Sequence, residues 1–311
     1  MPLKLLAADK TDVGRQREQN EDCAYRRISP EGNVALFIVA DGMGGYRAGE
    51  VASRLAVETI SQALDSFFQP ISEQPTIRLA PPIEEQPTVR LPPPAAEESQ
   101  AGSSHQDQAA IPQQPTSEQQ GRLTVRLPET PLLRSVEERL VSAIRQANSA
   151  IIHHGEQRRE ARGLGCTVTA ALVYEGTAYI ANVGDSRTYL LREGQLKPLT
   201  RDHSLVAKLV EAHQISPEEI YTHPQRNLIY RSLGAGRRQV EVDVFQERLQ
   251  PGDMLLLCSD GLWEMVRDDE ICKTLSERKS LQEICDQLIA LANAHGGEDN
   301  ITALVVRVEA A

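Results

Sequence analysis

NVALFIVADG (Asn33–Gly42) and MLLLCSDG (Met254–Gly261) end alike, each an apolar run that stops at Asp-Gly. A third acid, Asp299, stands in GGEDN (Gly296–Asn300), directly ahead of the apolar run ITALVVRV (Ile301–Val308). Runs of this length read as buried strands. Each therefore sets a carboxylate at a strand end, where a fold can hold it rigidly beside others. Clustered carboxylates repel one another, and a divalent cation is the usual remedy. The pattern points to a metal-dependent hydrolase.

A lone Asp-Gly after an apolar run is most often a hairpin turn. The residues that follow argue against that here. Met43-Gly44-Gly45 leads into a helical pattern, Ala48–Leu64, with Glu50 early and Val51, Leu55, Ala56, Ile60 and Leu64 on one face. Leu262-Trp263-Glu264 likewise opens a helical turn. Strand, Asp-Gly, helix is not hairpin grammar.

The 311 residues carry a net charge of −11, which argues against nucleic acid or an anionic membrane as the main partner. The start, MPLKLLAADKTDVGR, has no apolar signal core, and no run approaches a membrane span. Cys23, Cys166, Cys258, Cys272 and Cys285 are odd in number and show no CxxC spacing, as expected of reduced thiols in a cytoplasmic protein. Zinc held by cysteine is not expected.

Between Pro70 and Pro131 the composition shifts to Pro, Gln, Ser and Glu, with 12 of the chain's 18 prolines and no aromatic residue. Such a stretch cannot bury enough apolar surface to order itself, so residues 70–131 are expected to be a disordered insert. Within it QPTIRLAPP (Gln74–Pro82) recurs as QPTVRLPPP (Gln86–Pro94) and as LTVRLPETP (Leu123–Pro131). Residues 1–69 and 132–309 then form one interrupted domain. Arg134–His154 reads as an amphipathic helix pairing with Ala48–Leu64. From Cys166 to Leu199, short strand runs broken by Glu175-Gly176, Gly184-Asp185 and Glu193-Gly194 read as one antiparallel meander. Val240–Phe245 and Asp253–Ser259 add strands, and Leu281–Ala294 a helix. The grouping implies an α+β layered domain, sheet on sheet with helices outside.

Near the N-terminus, Arg17-Glu18-Gln19-Asn20-Glu21-Asp22 combines a guanidinium fork suited to phosphate with acids that could reach a metal or its waters. On its own such a cluster is usually a solvated loop. Taken in order, however, RxxNED (Arg17–Asp22), DGMGG (Asp41–Gly45), GxxAS (Gly49–Ser53), GCTVTAALV (Gly165–Val173), ANVGDSR (Ala181–Arg187), TRDHS (Thr200–Ser204), HPQRNLIYRSLG (His223–Gly234), SDGLWE (Ser259–Glu264) and EDNIT (Glu298–Thr302) resemble one family. It is the type 2C metal-dependent serine/threonine protein phosphatases (PPM), and the match is to the bacterial branch. The resemblance covers nearly all of the chain outside the insert.

The resemblance implies a four-layer αββα sandwich, two antiparallel β-sheets flanked by helices, with a metal site at one end. It implies two core Mn²⁺ or Mg²⁺ ions bridged by Asp41, with Asp260 and Asp299 on the first, the Gly42 carbonyl on the second, and Glu21 and Asp22 acting through water. Arg17 would grip the substrate phosphate, and Asp185, with Asp260, would hold a weaker third ion. Residues 202–225 fall where the family has a flap. The implied activity is hydrolysis of phosphoserine and phosphothreonine by a metal-activated water, with no covalent intermediate. Many eukaryotic members carry a histidine after the metal-site Asp-Gly as general acid. Met43 stands there, so the proton must come from metal-bound water or a flap residue; His223 is the flap candidate, set against a packing or capping role, and His203 has the same standing. Expected partners are phosphorylated proteins, a cognate serine/threonine kinase and a phosphothreonine-reading adaptor at Thr76, Thr88 and Thr124, with a monomer as the working form. The competing readings are a non-catalytic phosphoprotein-binding regulator and a scaffold acting through the insert.

Overall fold

The computed structural model describes residues 3–44, 48–69, 131–158, 163–235 and 238–311, with side chains in the second helix from Val136 onward. Among them the chain forms two antiparallel sheets. One orders β1 (Leu3–Asp12), β12 (Ile301–Ala310), β11 (Met254–Cys258), β7 (Arg187–Arg192) and β8 (Gln195–Pro198). The other orders β10 (Asp243–Arg248), β6 (Thr177–Val183), β5 (Val168–Tyr174), β3 (Val34–Met43), β4 (Gly165–Cys166) and β9 (Leu233–Gly234), with β2 (Asp22–Ile28) also paired to β3.

Alternation along β3 explains why its sequence looks apolar throughout. Leu36, Ile38 and Ala40 pack outward with α1 (Ala48–Ala63) and α2 (Pro131–Gln157). Ala35, Phe37 and Val39 pack inward against Leu255, Leu257, Leu304 and Val306 of the opposite sheet. A strand covered on both faces has no polar side to show. The outer face of the five-stranded sheet is covered by α4 (Asp260–Trp263), α5 (Asp268–Leu275) and α6 (Leu281–Ala294) through Leu262, Ile271, Ile284 and Leu288. Each such buried side chain contributes about 1.5–3 kcal/mol. The architecture is the expected αββα sandwich.

Three details depart from the sequence reading. The stretch from Cys166 to Leu199 is not one meander. β5 and β6 close a hairpin in one sheet, β7 and β8 a hairpin in the other, and Gly184-Asp185-Ser186 carries the chain between them. The strand expected at Val240–Phe245 runs instead over Asp243–Arg248. Helix α2 already starts at Pro131, a favoured first helical position for proline. The expectation of disorder for the insert, and its threonines 76, 88 and 124, lie outside the described residues, as does Gly45. Residues 202–225 form α3 (Leu205–Glu211), capped by Ser204, and a 3₁₀ turn at Pro217–Tyr221.

Candidate active site

One end of the sandwich gathers the acids. β2 begins at Asp22, β3 finishes through Asp41, the inter-sheet crossing carries Asp185, β11 leads into Asp260, and Asp299 precedes β12. Antiparallel register sets Asp22 directly opposite Asp41. A cavity of about 200 Å³ there is lined by Arg17, Glu21, Asp41, Gly42, Asp185, Asp260 and Asp299, and closed by Met43, Gly44, Thr167, Asn227 and Ile229. Larger hollows exist elsewhere, one of about 1000 Å³ at the opposite ends of β7 and β11. Four larger hollows among the described residues hold at most three carboxylates each.

The glycines of both Asp-Gly pairs have a reason beyond turning. Neither Gly42 nor Gly261 has a positive φ, so neither is a hairpin glycine. A Cβ on Gly42 would lie 2.2 Å from the Gly49 carbonyl oxygen, and one on Gly261 would lie 2.1 Å from that of Asn300. Each acid is therefore followed by a backbone pressed against another backbone, which fixes where its carboxylate can go.

The surroundings disfavour charge on these acids. Burial, then repulsion from Asp260, Asp22, Asp185 and Asp299, holds the Asp41 carboxyl well above the usual range. Burial, then repulsion from Asp185 and Glu264, does the same to Asp260. Asp185 is pushed up to about 7 by burial and the neighbouring Asp202. Asp22 rises to about 6 by burial, although Thr302 and Ser259 each donate a 2.7 Å hydrogen bond to its Oδ2. Asp22 Oδ1 and Asp260 Oδ1 are buried with no hydrogen-bond partner. Buried polar atoms rarely stay unpaired, and an unmet oxygen in a group of acids fits a cation. The donors are all hard oxygens, suited to Mg²⁺ or Mn²⁺ rather than a soft metal. Among the described residues, however, no group of three Asp, Glu, His or Cys side chains is arranged to hold an ion unaided. Both oxygens of Asp299 already carry a hydrogen bond: Arg17 Nη2 lies 2.6 Å from Oδ2, and the Asn300 amide donates to Oδ1 at 2.8 Å.

Several positioning residues were quoted in the motifs but not singled out. Asn300 accepts the Glu21 amide at 2.8 Å and donates to the Val13 and Gln19 carbonyls at 2.9 and 2.8 Å, so it fastens the Arg17 loop to β12. Trp263 Nε1 donates to the Asp185 carbonyl at 3.0 Å. The Arg187 guanidinium stacks 3.5 Å above the Trp263 ring and forks onto Asp202. Arg226 donates to Glu264 at 3.2 Å and to Glu298 at 2.6 Å, tying the flap segment beside the acids. The only sequence signal for these was their place inside a charged or Gly-rich motif.

The histidines fall elsewhere. His223 does not line the cavity, and its Nδ1 accepts the Gln225 amide at 3.1 Å. His203 is buried, its Nδ1 accepting the Gly184 amide at 2.9 Å, and burial lowers its pKa. Its geometry is that of a structural histidine that fixes the crossing before Asp185.

Comparison with known proteins agrees with the fold. The chain is 36% identical over 297 residues to the serine/threonine phosphatase stp of Listeria monocytogenes serotype 4b, spanning 96% of this chain and 93% of that protein. It is 32% identical over 306 residues to the serine/threonine protein phosphatase PstP of Mycobacterium tuberculosis, covering 98% of this chain and 45% of that longer protein. Among solved structures, Stp1 from Staphylococcus aureus superposes with a TM-score of 0.71 at 32% identity, over all of this chain and 98% of that one. The PstP catalytic domain in complex with two manganese ions matches at 0.70 and 29% identity, over 99% of this chain and all of that one. A family model, protein phosphatase 2C, matches residues 14–304. The chain belongs to the protein phosphatase 2C family.

Proposed function

We propose that this chain is a Mn²⁺- or Mg²⁺-dependent phosphatase acting on phosphoserine and phosphothreonine in proteins, and that its reaction centre is the carboxylate cavity. The observation that carries this reading is the set of Asp22, Asp41, Asp185, Asp260 and Asp299 at one end of the sandwich, mutually repelling and with two oxygens unmet. In this assignment Asp41 would hold both core ions, Asp260 and Asp299 one of them and the Gly42 carbonyl the other, with Glu21 and Asp22 acting through water. Asp185 and Asp260 take a weaker third ion. Asp299 Oδ2 already carries Arg17, so an ion on that oxygen would share it with the guanidinium or displace it.

Ions bound there would neutralise phosphate charge and lower the pKa of a water near neutral pH. The protein's own residues do the rest. Arg17, half exposed at the cavity mouth, is free to turn from Asp299 to an incoming phosphate with a charge-assisted pair of hydrogen bonds. Asn227 and Ile229, just past the flap segment, close one side of the cavity. Among the described residues no Ser, Cys or His lines it, and the Thr167 hydroxyl is bonded to Ser186 at 2.7 Å, so none of their side chains is placed as a nucleophile. Met43 cannot give a proton to the leaving group.

The full set of acids speaks against a non-catalytic regulator. Five free thiols fit work in the reducing cytoplasm, and among the described residues no helix is long and apolar enough to cross a membrane. A cognate kinase and an adaptor reading phosphothreonine at 76, 88 or 124 are proposed on the repeated Thr-(Ile/Val)-Arg-Leu alone. The test is phosphate release from a phosphothreonine peptide and an aryl phosphate with added Mn²⁺. The reading predicts turnover that chelator abolishes. A folded wild type that stays inactive across Mn²⁺ and Mg²⁺ titrations contradicts it.

A further inference from the structure

A second hollow, of about 730 Å³, lies between α2 and the segment that leads away from the flap. Its charged lining is Arg145, Arg231 and Arg238 against the single acid Glu241. That is a local excess of positive charge on a chain whose net charge is −11. Arg231 is committed, donating to Asp243 at 2.6 Å and to Glu241 at 2.7 Å. The other two are not. Arg145 is exposed and has no ion-pair partner among the described residues, and Arg238, with 87% of its side chain exposed, reaches Glu156 only at 4.0 Å.

One side chain ties the two sides of this hollow together. Asn148, buried on α2 one turn from Arg145, accepts the Gly234 amide at 2.8 Å and donates to the Arg238 carbonyl at 3.4 Å. It thereby holds the segment bearing Arg238 against the helix. The same segment connects the hollow to the carboxylate cavity, since Asn227 and Ile229 line the cavity while Arg231 and Ser232 line the hollow. Ile229 is pinned by a bridge to Ser204, and β9 pairs with β4 beside Met43. Along the chain only Tyr230 stands between the two linings, so Ile229 and Arg231 are at most about 7 Å apart.

We propose that this hollow is an anion subsite for the protein substrate. It would receive a carboxylate or second phosphate about two to four residues from the phosphoresidue in the cavity. The inference rests on the phosphatase reading and adds a substrate preference to it. A substrate strand advances about 3.3 Å per residue, so an anionic side chain at that spacing reaches the two uncommitted guanidiniums. Because Arg145 and Arg238 are exposed, the effect is graded and falls with salt.

The experiment uses the full chain and its Arg145→Ala/Arg238→Ala variant. The probes are phosphothreonine peptides with neutral flanks, with glutamates two to four residues away on either side, and with a second phosphoserine in the same places. Steady-state kinetics are read with Mn²⁺, and binding is read by fluorescence anisotropy without turnover. The wild type is expected to favour the anionic peptides roughly five- to tenfold, through KM. The double variant is expected to lose that preference while hydrolysing an aryl phosphate at the wild-type rate. Preference for the phosphorylated flank alone assigns the subsite to phosphate, and equal preference assigns it to negative charge in general. The proposal is overturned if the wild type shows no anionic preference in either measurement, or if the preference survives in the double variant. If no peptide is hydrolysed, the phosphatase reading fails, and anisotropy still decides whether the hollow binds anions.

Discussion

Arg17 Nη2 sits 2.6 Å from Asp299 Oδ2, so the guanidinium suited to a substrate phosphate rests on an acid of the same cavity. A cation from the side chain and a cation from solution compete for one carboxylate. Arg17→Ala is therefore expected to do two things at once. KM for phosphopeptides rises about 10- to 100-fold, as loss of a contact worth roughly 1.5–3 kcal/mol requires. Mn²⁺ affinity stays the same or tightens. Calorimetric titration alongside kinetics checks both, and weaker Mn²⁺ binding in the variant would show that Arg17 assists the metal instead.

Acidity and metal are linked with a definite sign. Burial first, and neighbouring acids after it, pushes Asp22 up to about 6 and Asp185 up to about 7. A carboxyl whose pKa is raised by folding contributes stability that is complete below its unfolded value near ~4 and is lost as pH rises through the folded value. From these groups the metal-free protein should lose stability between about pH 4 and 7. A divalent ion binds the ionised form and reverses the loss. The gain in Tm from saturating Mn²⁺ is expected to grow steadily from pH 5 to 7.5. Scanning calorimetry that finds the gain flat or shrinking over that range contradicts the linkage.

The close approach of backbones behind the acids makes its own prediction. Gly261→Ala would set a Cβ 2.1 Å from the Asn300 carbonyl oxygen, and no flexible side chain is there to yield. Overpacking of this kind costs about 1–3 kcal/mol, and the displaced Asn300 also releases the Arg17 loop. Denaturant unfolding should show the loss, and phosphopeptide turnover should drop further than the stability alone explains. A variant as stable and as active as the wild type would mean the contact is easily relieved.

Asp185 tests the third ion separately. Asp185→Ala is expected to keep two tight Mn²⁺ sites but slow phosphopeptide turnover. Unchanged kinetics, with no Mn²⁺ density near residue 185 in a soaked crystal, would remove the third ion from the account.

Much of this was legible in the sequence for one physical reason. β3, β11 and β12 are covered on both faces, so their residues are apolar in continuous runs, and the acids at their ends stand out. β1 and β2 do not show as strands in the sequence. LKLLAADKTD and DCAYRRI are only partly buried, and their polar residues blur the period. The Gly-Asp of a hairpin and the Gly-Asp of a crossing between sheets are the same letters, which is why Gly184-Asp185 was read as a meander turn. Arg17–Asp299 and Asn300–Gln19 join residues 282 and 281 positions apart, and only the closed fold brings them together. Local pattern cannot report such pairs.

The central claim is that Asp41 holds two ions that the chemistry needs. Asp41→Asn keeps the size of the side chain and removes its charge. Equilibrium Mn²⁺ binding, measured on folded wild type and folded Asp41→Asn together with phosphopeptide turnover, tests the claim most directly. The account predicts two tight ions and turnover in the wild type, and loss of both ions and of activity in the variant. Two ions still bound, with full activity, in a folded Asp41→Asn protein would contradict it.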